Sequence, residues 1–392
     1  MITVGHAKKL IAQHVKRLPA VTVNIGDAAG HVLAEDCYAV CDIPAFRQSS
    51  MDGYALKFED HLTEYTIVGE MAAGSSVNAS VNSGEACRIF TGAPLPVGAD
   101  TVIMQEKVTL AADQIIIGDK NLKKGLNIRE RGSEITDGSL AMTKGTILTP
   151  AAIGFLAGIG LSEVNVTPQP KIAIILTGNE LQKPGLPLAF GQVYESNSFA
   201  LTAALKQVGI STIKVWEAKD ELETLINILG VALEGNDIVL LTGGVSVGDY
   251  DFVVRAAEAC GVEQIFHKVK QKPGKPLYFG KKQDKLIFGL PGNPSSVLSC
   301  FYNYVLQAIA LLTDNANKVH QVRAALETDY NKPNGLTHFL KGIYTAGRAK
   351  PLGAQESFRL SSFAQANCLI CLEEDKTTFK IGDMVTVLLL PG

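Results

Sequence analysis

Between Lys171 and about Thr313, short apolar runs alternate with longer stretches whose apolar positions recur every three to four residues. The runs at 172–176, 213–216, 237–241 and 286–288 are too short for helices and read as buried strands. One helix is expected to begin at Asp220, with Glu223 placed for a capping-box variant and Leu222, Leu225, Ile226 and Leu229 forming an inward stripe. Another begins near Ser295 and runs through Leu298, Phe301, Tyr304, Val305 and Ile309. Such alternation predicts a doubly wound sheet.

The flanking segments have other rhythms. Ala7, Leu10, Ile11, Val15 and Leu18 stand at helical spacing and predict one amphipathic helix over 2–18. From 21 to about 144 the pattern shortens to β-type runs at 65–68, 87–90, 101–104 and 114–117, separated by glycine, proline and asparagine. Residues 149–161 read as a helix with Pro150 in its first turn, and Thr167-Pro168-Gln169-Pro170 as a linker. Short strands return over 322–391, including 368–372 and 384–390, with Gly382-Asp383 as a turn, so a small terminal β domain is expected.

A chain of 392 residues exceeds what one core usually organises, and two to four domains are expected. The formal charge of -3 offers no global field for nucleic acid, so any anion site must be local. The longest apolar stretch, 151–161, contains Gly154, Gly158 and Gly160 and is far short of the roughly 20 residues of a membrane span. Met1 to Ala20 lacks the apolar region of a secretory signal, and cytoplasmic residence is the expectation. Seven cysteines, an odd count without an export signal, argue against a disulfide framework. Cys368 and Cys371 match C-x-x-C, but in a strand-like run they point to opposite faces and read as core. No H-x-x-x-H or H-E-x-x-H spacing indicates zinc.

Candidate chemistry gathers at three glycine-bearing turns, each closing an apolar run: Thr177-Gly178-Asn179-Glu180, Thr242 to Asp249, and Gly289 to Ser296. In a parallel sheet such turns lie at the strands' carboxyl ends, where backbone N–H groups and helix N-termini face one crevice suited to phosphate. Lys268, Lys272 and Lys275 precede the third turn and add positive charge, the prolines and glycine between them limiting where Lys272 and Lys275 point. Glu180, Asp249 and Asp251 supply carboxylates for a divalent cation. Asp249 stands where a P-loop needs lysine, and no G-x-G-x-x-G follows Thr242, which excludes both fingerprints. Any one of these loops reads equally as a tight turn, Asp52-Gly53 as an ordinary turn, and Arg129 and Arg131 as one exposed strand face. Residue chemistry alone thus stops at an enzyme or binding protein for a phosphorylated ligand.

Taken in order, the segments resemble the molybdopterin molybdenumtransferase family, the MoeA and gephyrin E-domain group. Asp42-Ile43-Pro44-Ala45-Phe46 with 49–55 resembles the family's P-x-F-D-x-S-x-M-D-G-Y-A segment, and Thr91-Gly92-Ala93-Pro94-Leu95-Pro96 its T-G-A-P-x-P segment. Further matches follow at 125–134, 177–181, 191–197, 242–252, 272–276 and 289–294, spanning nearly the whole chain. The resemblance implies a multidomain α+β and α/β protein. Its parts would be a helical linker domain (1–20 with 40–46 and 140–170), a β-rich domain (21–39 with 47–139), a doubly wound molybdopterin-binding domain (171–316) and a C-terminal β-barrel-like domain (317–392).

It also implies a reaction, insertion of molybdate into adenylylated molybdopterin with Mg2+-dependent loss of AMP. By motif position Lys272 and Lys275 would take molybdate, with Ser357. Asp52, Glu180, Asp220 and Asp251 would be the catalytic carboxylates, Glu180 and Asp251 holding magnesium, with Thr91 and Lys268 nearby. Gly243, Gly244, Ser246, Asn293 and Ser295 would cradle the phosphate end of the pterin. The family is a homodimer, so Arg129 and Arg131 would act across the interface, and contacts with the adenylyltransferase and recipient molybdoenzymes are implied. The chain departs from the family at Arg47, Asn179, Glu195 and Leu336, the last where the family carries an arginine that Lys341 or Arg359 would have to replace. The alternatives are molybdopterin adenylylation and a non-catalytic, gephyrin-like scaffold.

Overall fold

A computed structural model describes residues 1–74, 79–244, 252–315 and 320–391. The chain divides into two compact units, one of residues 1–21, 30–32 and 166–392, the other of residues 22–29 and 33–165.

In the first unit a six-stranded sheet has the spatial order Ile213–Ala218, Ile172–Thr177, Ile238–Thr242, Lys285–Leu290, Tyr278–Lys282, Glu263–His267. The first four strands run parallel and the last two complete an antiparallel edge. The central strands are buried on both faces, which is why they read as continuous apolar runs. Their alternate residues enter different cores. Ile172, Ile174, Leu176, Ile238 and Leu240 pack on one side with the helices Val4–His14, Asn197–Gln207 and Pro294–Cys300. Ala173, Ile175, Val239 and Leu241 pack on the other with Leu222–Gly235 and Phe252–Ala259. Each fully buried aliphatic side chain contributes about 1.5–3 kcal/mol, so the period-two pleat fixes the register.

The helix after the second strand starts at Leu222, not Asp220; its N-cap is Glu221, and Asp220 is drawn into a turn contact described below. The helix after the third turn starts at Pro294 and passes through a π-helical turn, Phe301–Val305, into Leu306–Leu312. Among the described residues this 19-residue segment is long and apolar enough to cross a membrane, unlike the shorter 151–161 stretch, yet 83% of it is buried. Its hydrophobicity is accounted for by core packing. Thr167 belongs to the strand Glu163–Thr167, which shortens the expected linker.

The C-terminal strands close on themselves. Thr337–Thr345 pairs with Arg348–Pro351, and the ring continues through His320–Leu326, Met384–Leu389 and Cys368–Leu372 back to Thr337–Thr345. Closure leaves no free edge in this five-stranded barrel, apart from one short strand, Gln271–Lys272, added parallel to Thr337–Thr345. Burial pushes the Cys368 thiol up to about 12 and the Cys371 thiol up to about 11, as expected of packed rather than reactive cysteines.

The second unit is built on a six-stranded sheet ordered Thr101–Met104, Gly53–Leu56, Glu85–Ile89, Glu64–Met71, Gln114–Ile117, Val108–Ala111. Its helix Pro150–Gly158 is capped by Thr149, whose hydroxyl accepts from the Ala152 N–H at 3.2 Å.

Candidate functional site

The parallel register brings Leu176 beside Thr242 and Thr242 beside Leu290, so three strands end on one edge of the sheet. Their turns line a single cavity of about 680 Å³ that includes Glu180, Asp220, Gly243, Gly244 and Asn293. Gly243 has φ +85°, and a Cβ there would lie 2.5 Å from the Thr177 carbonyl oxygen. Only glycine lets the second turn approach the first this closely. Asp220 and Asn179 clamp the neighbouring turns reciprocally: the Asn179 N–H donates to the Asp220 carboxylate at 3.3 Å, and the Asp220 N–H donates to the Asn179 amide oxygen at 3.4 Å. Asn197, which motif spacing did not single out, also lines the cavity and donates to the Gly292 carbonyl at 2.9 Å. Glu195 is buried just before the helix Asn197–Gln207, accepting from the Ser198 N–H at 2.8 Å and its hydroxyl at 2.6 Å.

The lysine turn is set by the core beneath it. The Gln271 amide donates to the Gly274 carbonyl at 2.9 Å and accepts a short hydrogen bond from the buried Tyr304 hydroxyl. Gly274 has φ +82°, and its missing Cβ leaves room for the Cys300 sulfur. From this turn Lys272 lines a second cavity of about 450 Å³ with His338, Ser357 and Phe358. Phe358 lines the first cavity as well. The two are further joined by the Asn293 amide, which donates to the Ser357 hydroxyl at 2.9 Å, and by the Ser295 N–H, which donates to the Ser357 carbonyl at 3.1 Å. Ser295 is therefore fully buried with its N–H already committed, and the helix N-cap is Asn293. Lys275 is exposed and Lys268 half-buried; neither lines these cavities.

Of the two residues considered as substitutes for an arginine at Leu336, Lys341 is committed elsewhere and Arg359 stands in an exposed ion pair. The Lys341 ammonium is buried and donates to the carbonyls of Ala354 (2.7 Å), Arg359 (2.9 Å) and Glu356 (3.4 Å), and Arg359 pairs with Glu356 at 3.2 Å. Lys332 is likewise buried, donating to the Leu336 and Glu374 carbonyls at 2.9 and 3.1 Å.

In the second unit the Asp52 carboxylate accepts from the Thr91 N–H at 2.7 Å and the Thr91 hydroxyl at 2.8 Å. Those two bonds, assisted by the Arg88 charge, hold Asp52 below the usual carboxylate range. Arg88 is positioned by the Gly53 carbonyl at 2.8 Å and by the Phe90 ring. Arg129 is exposed on a two-stranded ribbon with Gln48–Ser49, and Arg131 pairs with Asp42 at 2.5 Å. Ser246, Asp249 and Asp251 lie outside the described residues.

Residues 2–160 match the family model of the MoeA N-terminal region (domain I and II), 173–311 that of the probable molybdopterin binding domain, and 323–390 that of the MoeA C-terminal region (domain IV). The crevice at the sheet's carboxyl edge thus falls within a molybdopterin-binding class of domain. The solved molybdopterin biosynthesis MoeA protein of Pyrococcus horikosii is similar over 100% of both chains, with TM-score 0.85 and 29% identity. Molybdopterin molybdenumtransferase of Staphylococcus aureus (strain MSSA476) is 34% identical over 99% of this chain and 95% of its own length. That of Staphylococcus epidermidis (strain ATCC 12228 / FDA PCI 1200) is 34% identical over 97% and 94%. The chain belongs to the MoeA family of molybdopterin molybdenumtransferases, enzymes of molybdenum cofactor biosynthesis.

Proposed function

We propose that the protein inserts molybdate into adenylylated molybdopterin with Mg2+-dependent release of AMP. The observation that carries this reading is the pair of cavities sharing Phe358 and bridged by Asn293 and Ser357. A reaction joining an oxyanion to a phosphorylated pterin needs two anion sites side by side.

In the larger cavity, Gly243, Gly244 and Asn293 receive the phosphate end of the pterin. Glu180 and Asp220 line the same cavity and fit a magnesium ion, which takes few carboxylates and completes its shell with phosphate and water. The ion would supply charge neutralisation on the phosphates during loss of AMP. Asn179 holds Asp220 toward the cavity wall. In the smaller cavity, Lys272 and Ser357 bind the oxyanion. Asp52, kept ionised by Thr91, is the carboxylate of the second unit in this scheme, and Arg129 and Arg131 serve a homodimer.

The test is AMP release. Protein loaded with adenylylated molybdopterin and magnesium is expected to release AMP on addition of molybdate, and to stop when magnesium is chelated. No release would favour the scaffold reading, and synthesis of the adenylylated compound from ATP would favour the adenylyltransferase reading.

A further inference from the structure

We infer that His338 is an oxyanion-contacting residue of the smaller cavity, its imidazole N–H donating to the same anion that Lys272 holds. This rests on the oxyanion reading of that cavity. His338 is the register partner of Lys272 across the parallel pair, and partners in a parallel ladder project to the same face. The residue is only 5% exposed, and it lines the cavity together with Lys272 and Ser357. Neither ring nitrogen has a hydrogen-bond partner among the described residues, so the donor is uncommitted. The Tyr330 ring meets the imidazole edge-on at 6.4 Å and restrains its rotation.

The neighbouring charges are otherwise occupied. Lys332 is tied to the Leu336 and Glu374 carbonyls, Lys341 to Ala354, Glu356 and Arg359, and the cavity-lining Glu356 to Arg359. Burial first, then Lys272 and Lys332, push the imidazole down to about 4, which leaves it neutral near pH 7 with one donor and one acceptor. A neutral donor beside the Lys272 ammonium suits a tetrahedral dianion and adds no further charge that must be desolvated.

Calorimetric titration of the full chain with molybdate alone, and with tungstate alone, tests this. His338→Phe keeps the ring volume without a donor and is expected to weaken binding about tenfold, the loss of one hydrogen bond to an ion. His338→Gln, which keeps a donor, is expected to stay within about threefold of the parent. A purely structural histidine would not show that rescue. Lys272→Ala is expected to remove measurable binding. Parent-like affinity in His338→Phe, with Lys272→Ala inactive in binding, overturns the role of His338 and spares the cavity reading. Parent-like affinity in Lys272→Ala overturns both. Should the phenylalanine variant fail to show a cooperative melt, His338→Met repeats the test with a flexible apolar side chain.

Discussion

Asn179 and Asp220 exchange hydrogen bonds between the turns that follow the strands Ile172–Thr177 and Ile213–Ala218, each backbone N–H donating to the other's side-chain oxygen. The pairing explains why Asp220 does not cap the following helix: its carboxylate faces the wrong turn, and the helix begins two positions later at Leu222. Replacing Asn179 by Ala removes one acceptor in an exposed position. The expected cost is at most about 1 kcal/mol of stability, but about tenfold in AMP release, since the Asp220 N–H loses its acceptor and only the Asn179 N–H still joins the two turns. Asn179→Asp keeps the acceptor and is expected to retain near-parent turnover. A loss of turnover in the aspartate variant as large as in the alanine variant would dismiss the tether.

At Gly243, alanine would have to adopt the existing φ of +85° and would place its Cβ 2.5 Å from the Thr177 carbonyl oxygen. The expected destabilisation is about 1–3 kcal/mol, with loss of pterin binding because the turn must withdraw from the cavity. Gly235, near the end of its helix, has nothing within 4 Å of an added Cβ and serves as the control. Urea denaturation of the two variants separates them, and equal midpoints would contradict the packing argument.

Asp52→Ala is expected to lower AMP release at least about a hundredfold, the scale of a lost acid–base or charge-organising group, while circular dichroism stays unchanged. Thr91→Val removes the hydroxyl donor and keeps the backbone one, so it should give an intermediate rate. Unaltered turnover in Asp52→Ala would remove this carboxylate from the reaction.

The buried His338 makes stability depend on pH. Its folded value of about 4 lies below the 6.5 of an ordinary imidazole, so between these pH values the unfolded chain binds the extra proton. Stability is therefore complete above about pH 6.5 and falls as the pH drops toward 4, by as much as roughly 3 kcal/mol. The urea midpoint of the parent should decline across that window, and His338→Gln should flatten the decline. An unchanged slope in the variant would assign the effect to other groups.

The doubly wound sheet, its three terminal turns and the enzyme family were all legible in the sequence. Strands buried on both faces must be apolar throughout, and turns that bring backbones together demand glycine, so both constraints are local and leave a written trace. Glu180 and the glycines Gly243 and Gly244 stand in turns that this pattern marked, as does Asn293, whereas Asp220 entered only through the family resemblance; all five line one cavity. The tertiary structure decided which cations are available. Lys272 faces a cavity because its two-residue strand adds to the barrel at His338, whereas Lys341 spends its charge on the carbonyls of a loop. Nothing in the spacing of lysines along a chain records such commitments, because they are made between strands distant in sequence and depend on which face of the pleat each side chain takes.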